Sequence, residues 1–183
     1  MESTVESKKN PIIRNAANYG AMIGVTLVIM SLILYVFNVT SQNISQYLNL
    51  ALILAGIIIG ILNYRNNING GFISYAKSLG SGVLIGLFAS VVLAIYTFIF
   101  AKFIDPGMID EIMKKAEESI LEKNPSISDE QLELALSYTR KFTSPAWMAV
   151  SSVLSLTFVS FIISLIVSIF TRKEDKSFES NFN

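Results

Sequence analysis

The residues with the means to do chemistry in this chain fall into three sets. Ser160, Ser164 and Ser168 recur every four residues inside an apolar run. That spacing keeps their hydroxyls on roughly one helical face, since four residues turn a helix about 40° past a full circuit. Such a row could line a polar path for a neutral solute or a lipid, because hydroxyls and carbonyls can line a pore. Nine carboxylates gather between Asp105 and Glu133, and a dense acidic segment raises cation binding. The third set is the stretch Asn63–Gly82, NYRNNINGGFISYAKSLGSG, crowded with asparagine and glycine. Its composition suits either a ligand cradle or a turn at a membrane surface.

Composition trims these options. The chain has no histidine, which removes the commonest general base, metal ligand and near-neutral pH switch together. It has no cysteine, so there is no thiol nucleophile, disulfide framework or Cys-based zinc site. The acidic segment contains no D-x-D-x-D-G loop, and its acids fall at solvent-facing helix positions, so no calcium site is expected. No G-x-x-x-x-G-K-[ST] is present, and the glycines of Asn63–Gly82 follow a helix rather than a strand, so a phosphate loop is unsupported. Fourteen basic residues balance fourteen acidic ones, without the clustered cationic excess that nucleic acid requires. The expectation is a protein that is not an enzyme, with no catalytic residue, cofactor or metal and no nucleic-acid partner.

The elements that must position these residues follow from where charge is missing. No charged side chain lies between Arg14 and Arg65, between Lys77 and Lys102, or between Lys141 and Arg172. A helix crossing the hydrocarbon core needs about 20 mostly apolar residues. The gaps hold four such helices, over about 17–37, 47–62, 78–101 and 146–170. The first is too long and bulky to be a cleaved signal peptide. The predicted fold is an all-α integral membrane protein: one four-span domain over 1–173, with an extramembrane amphipathic helical hairpin between the third and fourth spans, and a polar, disordered tail at 174–183. Proton-coupled transport needs ionisable groups within the spans, and these spans have none.

Basic residues flank the cytoplasmic ends of membrane helices. Lys8, Lys9, Arg14, Arg65, Lys77, Arg172, Lys173 and Lys176 share one side if both termini are cytoplasmic, which leaves 102–144 outside. That segment has its own punctuation. Asp105 and Pro106 open a first helix, on which Ile109, Ile112, Met113 and Ile120 form an apolar stripe. Ser128 and Gln131 open a second as a capping box, and Ser144–Pro145 is read as capping the fourth span. The stripe is either a face for a protein partner or lipid surface, or a self-packed lid.

Small residues also recur at four-residue spacing: Gly20 and Gly24 in the first span, Gly56 and Gly60 in the second, Gly82 and Gly86 in the third, and the serine row in the fourth. Lipid gives helices no hydrophobic reason to associate, so close backbone approach at small residues drives their packing. Packing within one chain is the simplest use of these rows; homodimerisation and a substrate path stay open. The sequence NNINGG is turn chemistry, since asparagine and glycine tolerate positive φ. Arg65 and Lys77 are expected to reach headgroups, with Phe72 and Tyr75 in the interface.

Tyr64 and Arg65, then Gly70, Gly71, Ser74 and Tyr75 on to Gly82, together with the late SPAWMAV and SFIISLIVSIFTRK, carry a resemblance. From about Arg14 to Lys173 the chain resembles an uncharacterised four-span bacterial membrane family, domain of unknown function 4199. It departs from that pattern at Ala76–Lys77–Ser78. The resemblance implies four spans and a bacterial inner membrane, and it brings no functional residues. The functional expectation is an accessory or scaffold protein in contact with membrane lipid and a protein partner or second copy; the alternative is a small neutral-solute or lipid permeation protein.

Overall fold

Asn10 starts the first helix by accepting the Ile12 amide on its side chain, and Pro11 follows at the first helical position, where its missing N–H costs nothing. The computed structural model describes residues 10–39 and 42–173; the tail at 174–183 lies outside them. The described residues form six α-helices: α1 Pro11–Val36, α2 Gln42–Asn63, α3 Tyr75–Ile99, α4 Gly107–Lys123, α5 Asp129–Phe142 and α6 Pro145–Thr171. Four stretches are long and apolar enough to cross a membrane: α1, Ser45–Ile68, Tyr75–Ile104 and α6. Each extends past the apolar run that announced it, because polar flanking residues do not end a helix; caps and turns do.

Those stops are local. At the end of α1, Asn38 takes a positive φ of 50° while Val39 N donates to Leu34 O and Asn38 N to Tyr35 O. This is a Schellman closure, with asparagine in the left-handed position. α2 and α3 each finish in a five-residue π-helical turn, Tyr64–Ile68 and Phe100–Ile104. Ser128 caps α5 by accepting from Gln131 N (3.4 Å), whereas α4 is preceded by Pro106, which has no side-chain cap, and Asp105, expected to open that helix, accepts from Met108 N (3.2 Å) from one residue further out. Ser144 does otherwise. Its hydroxyl donates back to Lys141 O at 2.9 Å and does not cap α6; the proline at the first position of α6 has already removed one donor.

The chain divides into two units. One comprises the described residues up to Val92 and from Ser155 on; the other is Leu93–Leu154. In the first, glycines set the packing. A methyl on Gly20 or Gly24 would strike Ile85, Phe88, Ala89 or Val92 of α3, in register order that makes α1 and α3 parallel. Gly56 meets Ile23 and Gly60 meets Tyr19, so α1 and α2 are antiparallel. Gly82 faces Ser164 and Gly86 faces Ser160, so α3 and α6 are antiparallel too. The chain therefore runs up and down through α1, α2, α3 and α6. The start of α1, the end of α2, the start of α3 and the end of α6 gather at one end. In the second unit, α4 and α5 pack against each other across the Asn124–Ile127 turn.

Burial is distributed as lipid requires. Ser78, Ser81, Ser90, Ser160, Ser164 and Ser168 are fully buried, while Met22, Ile29, Leu154, Phe158 and Ile166 lie exposed on the spans. Water would favour the reverse, since large apolar groups are the ones it expels.

Candidate functional site

Polar side chains converge at the gathered end of the first unit. Asn15 is buried one turn inside α1; its amide donates to Gly60 O at 2.9 Å and accepts from the Asn63 amide at 2.8 Å. Asn67 donates in turn to Asn63 (2.7 Å), which makes a chain of three amides from surface to interior. A buried amide without such partners would cost a few kcal/mol. The chain thus ties the end of α2 to the start of α1.

A second set of contacts holds the end of α6. The Arg65 guanidinium donates to Thr171 O (2.9 Å), one of the carbonyls a helix leaves unpaired at its C terminus, where positive charge also favours the helix dipole. The Thr171 hydroxyl donates to Val167 O (3.0 Å), so its single proton is spent and Ser78 donates to it at 2.7 Å. Ile73 and Lys173 exchange both backbone hydrogen bonds, at 2.8 and 2.9 Å, as an antiparallel bridge. The Lys173 ammonium sits 5.5 Å from the centre of the Phe72 ring, within cation–π range. Tyr75 donates to Leu165 O (3.3 Å). Gly70 and Gly71, at φ +67° and +90°, turn the chain so that Ile73 can reach Lys173; nothing lies within 4 Å of a Cβ on either. Their role is backbone conformation, not clearance.

Arg65 and Tyr75, expected at headgroups and interface, are thus engaged with α6. Of the signature residues, Arg65, Gly70, Gly71 and Tyr75 belong to this closure; Tyr64 is buried, with its carbonyl accepting from Asn69 N (2.9 Å), and Ser74 accepts weakly from Lys77 N (3.5 Å). The stretch Asn63–Gly82 is a clasp on the last helix. Among the described residues, the charge of this unit has one sign. Arg14, Arg65, Lys77, Arg172 and Lys173 lie in the described part of this unit, and the sequence has no acidic residue between Ser7 and Ile104 or between Ser155 and Lys173.

The serine row lies in the seam between α3 and α6. Ser90 and Thr157 approach to 3.3 Å at one end and Ser78 meets Thr171 at the other. Between them, the hydroxyls of Ser160, Ser164 and Ser168 are buried without a hydrogen-bond partner among the described residues, as is that of Ser81 elsewhere on α3. Any side chain on Gly82 or Gly86 would overlap Ser164 or Ser160.

In the second unit, Met113 is buried and Ile109, Ile112 and Ile120 are half-buried, so the expected partner stripe is largely covered. Beside it a groove of about 620 Å³ opens between α4 and α5. Met113, Leu132 and Leu136 line its apolar part, with Asp110, Lys114, Glu117, Asp129, Glu133 and Arg140 around them. Residues missed by sequence reasoning are Asn15, Thr171 and Ile73; Lys173 was read only as a basic flank. Of these only Asn15 carried a signal, as an amide at the threshold of a span.

Four spanning helices with large apolar side chains outward and hydroxyls and amides inward define a multi-pass, all-helical membrane protein. Within that class, residues 18–173 match the model of the family described as protein of unknown function DUF4199, and the chain belongs to it. No curated protein and no solved structure matches the chain.

Proposed function

We propose that the protein is a non-enzymatic accessory or scaffold protein of a bacterial inner membrane, with both termini cytoplasmic and α4–α5 on the outer side, where they receive a protein partner. The groove between α4 and α5 carries this reading. It has an apolar floor, and its rim of four acids against two bases suits a basic partner segment. The orientation is supported by the five cations at the clasp end, where the described residues of this unit include no carboxylate. Purification of the full chain from native membranes in mild detergent should bring down a stoichiometric companion. That companion should be lost when Glu117→Lys and Glu133→Lys reverse the rim charge without touching the apolar floor. Repeated recovery of the chain alone would overturn the reading.

One observation favours the second reading, a small neutral-solute or lipid permeation protein: the three unpartnered hydroxyls buried along the serine row of α6. Ser160→Ala, Ser164→Ala and Ser168→Ala remove them without adding volume. If the seam only packs helices, stability is unchanged or rises. If it conducts, flux through reconstituted vesicles falls.

A further inference from the structure

We propose that the C-terminal two turns of α5 are an interfacial element, lying in the headgroup–acyl boundary of the phospholipid leaflet from which α6 enters the membrane. α5 is apolar on two sides. Leu132 and Leu136 line the groove with α4, whereas Leu134 and Tyr138, two residues away and so about 200° around the helix, are each 57% exposed, and Phe142 is 52% exposed. Packing on α4 accounts for the first face and leaves the second without a partner inside the unit.

Three observations identify the occupant as lipid. First, only Thr143 and Ser144 separate α5 from α6, a helix long and apolar enough to span. The end of α5 is therefore held at the depth where that span begins. Second, Phe142 packs edge-on against Trp147 in the first turn of α6, with ring centres 5.3 Å apart. Tryptophan and tyrosine concentrate at membrane–water interfaces because one end of each ring system is apolar and the other wet. Third, the exposed stripe is apolar only near α6. Lys141 lies about 20° around the helix from Leu134, placed to run its stem over apolar surface and raise its ammonium to phosphate. Glu130 and Gln131, about one turn before Leu134, make the same side polar. Elsewhere in this unit Lys102 sits 5.3 and 5.4 Å over the rings of Phe98 and Phe103, the same pairing of cation and aromatic at a span end. A protein-binding face would have no reason to fade with distance from the membrane.

The inference rests on α6 being a span but not on a protein partner, and it concerns the face of α5 opposite the groove. The chain lacks cysteine, so single spin labels on Leu134→Cys, Tyr138→Cys, Glu130→Cys and Ser137→Cys report on the full-length protein in vesicles of phosphatidylethanolamine and phosphatidylglycerol. At 134 and 138, collisions with oxygen should exceed those with an aqueous nickel chelate several-fold; at 130 and 137 the order should reverse. Equal access of the nickel chelate to all four positions would overturn the proposal. So would labels at 134 and 138 that are immobile and shielded from both reagents, since a second copy or a partner protein would then cover the face.

Discussion

Gly20→Ala isolates the approach of α1 to the backbone of α3. An added methyl would lie 2.5 Å from Phe88 Cβ, 2.6 Å from Ile85 O and 3.1 Å from Ala89 N. Comfortable separations between non-bonded carbon atoms are about 3.5–4.0 Å, so α1 and α3 must part by about 1 Å at this crossing. Two of the three obstructing atoms belong to the α3 backbone and cannot be cleared by a rotamer change. Overpacking costs about 1–3 kcal/mol. With backbone in the way the upper part of that range applies, about 2–3 kcal/mol, which is roughly a 30- to 150-fold shift toward the unfolded form at about 1.4 kcal/mol per tenfold. Gly80→Ala is the matched control, because nothing lies within 4 Å of its Cβ and alanine is the better helix former by up to about 1 kcal/mol. The assay is an SDS titration of the full chain, read by energy transfer between fluorophores on cysteines introduced at the exposed positions Met22 and Val91. Gly20→Ala should unfold at distinctly lower SDS and Gly80→Ala at the same or higher. If the two variants agree within about 0.5 kcal/mol, the size of effect typical away from special sites, α1 does not approach the α3 backbone and the packing scheme fails.

Further outcomes follow from the same contacts. Gly86→Ala should destabilise by clashing with Ser160, and Ser160→Gly should restore much of the loss, with a coupling of about 1–2 kcal/mol in a double-mutant cycle. Gly70→Ala should cost about 1–2 kcal/mol through its φ of +67° alone, and Gly70→Asn less, since asparagine visits that region; equal, negligible effects would mean the turn is not left-handed. Lys173→Pro removes the N–H that Ile73 O accepts, so hydrogen exchange at the Ile73 amide should accelerate at least tenfold, while Lys173→Ala leaves it slow. In intact spheroplasts, a membrane-impermeant maleimide should label a cysteine at Ser119 and not one at Asn67; the opposite pattern would invert the chain and withdraw every outward role given to α4 and α5.

The four spans, the two amphipathic helices and most helix ends were legible in the sequence because each is a local matter. A charge-free run of sufficient length must leave water. Asp105 and Ser128 announce a helix start through their own side chains, and Asn–Gly pairs announce a reversal of the chain. The recurrence of Gly20, Gly24, Gly56, Gly60, Gly82 and Gly86 also said that helices approach closely. It could not say which helix each glycine meets, because a four-residue period is the same for every neighbour. Only the tertiary structure placed Gly20 against the α3 backbone and Gly86 against Ser160. The stretch Asn63–Gly82 divides the same way. Its turn was visible in residue types, whereas its partners, Thr171 and Lys173, lie about a hundred residues away and are joined to it largely through backbone carbonyls and amides. Every residue carries those groups, so no side-chain pattern marks the ones used, and Arg65 read from sequence as a headgroup anchor proves to hold the end of the last helix.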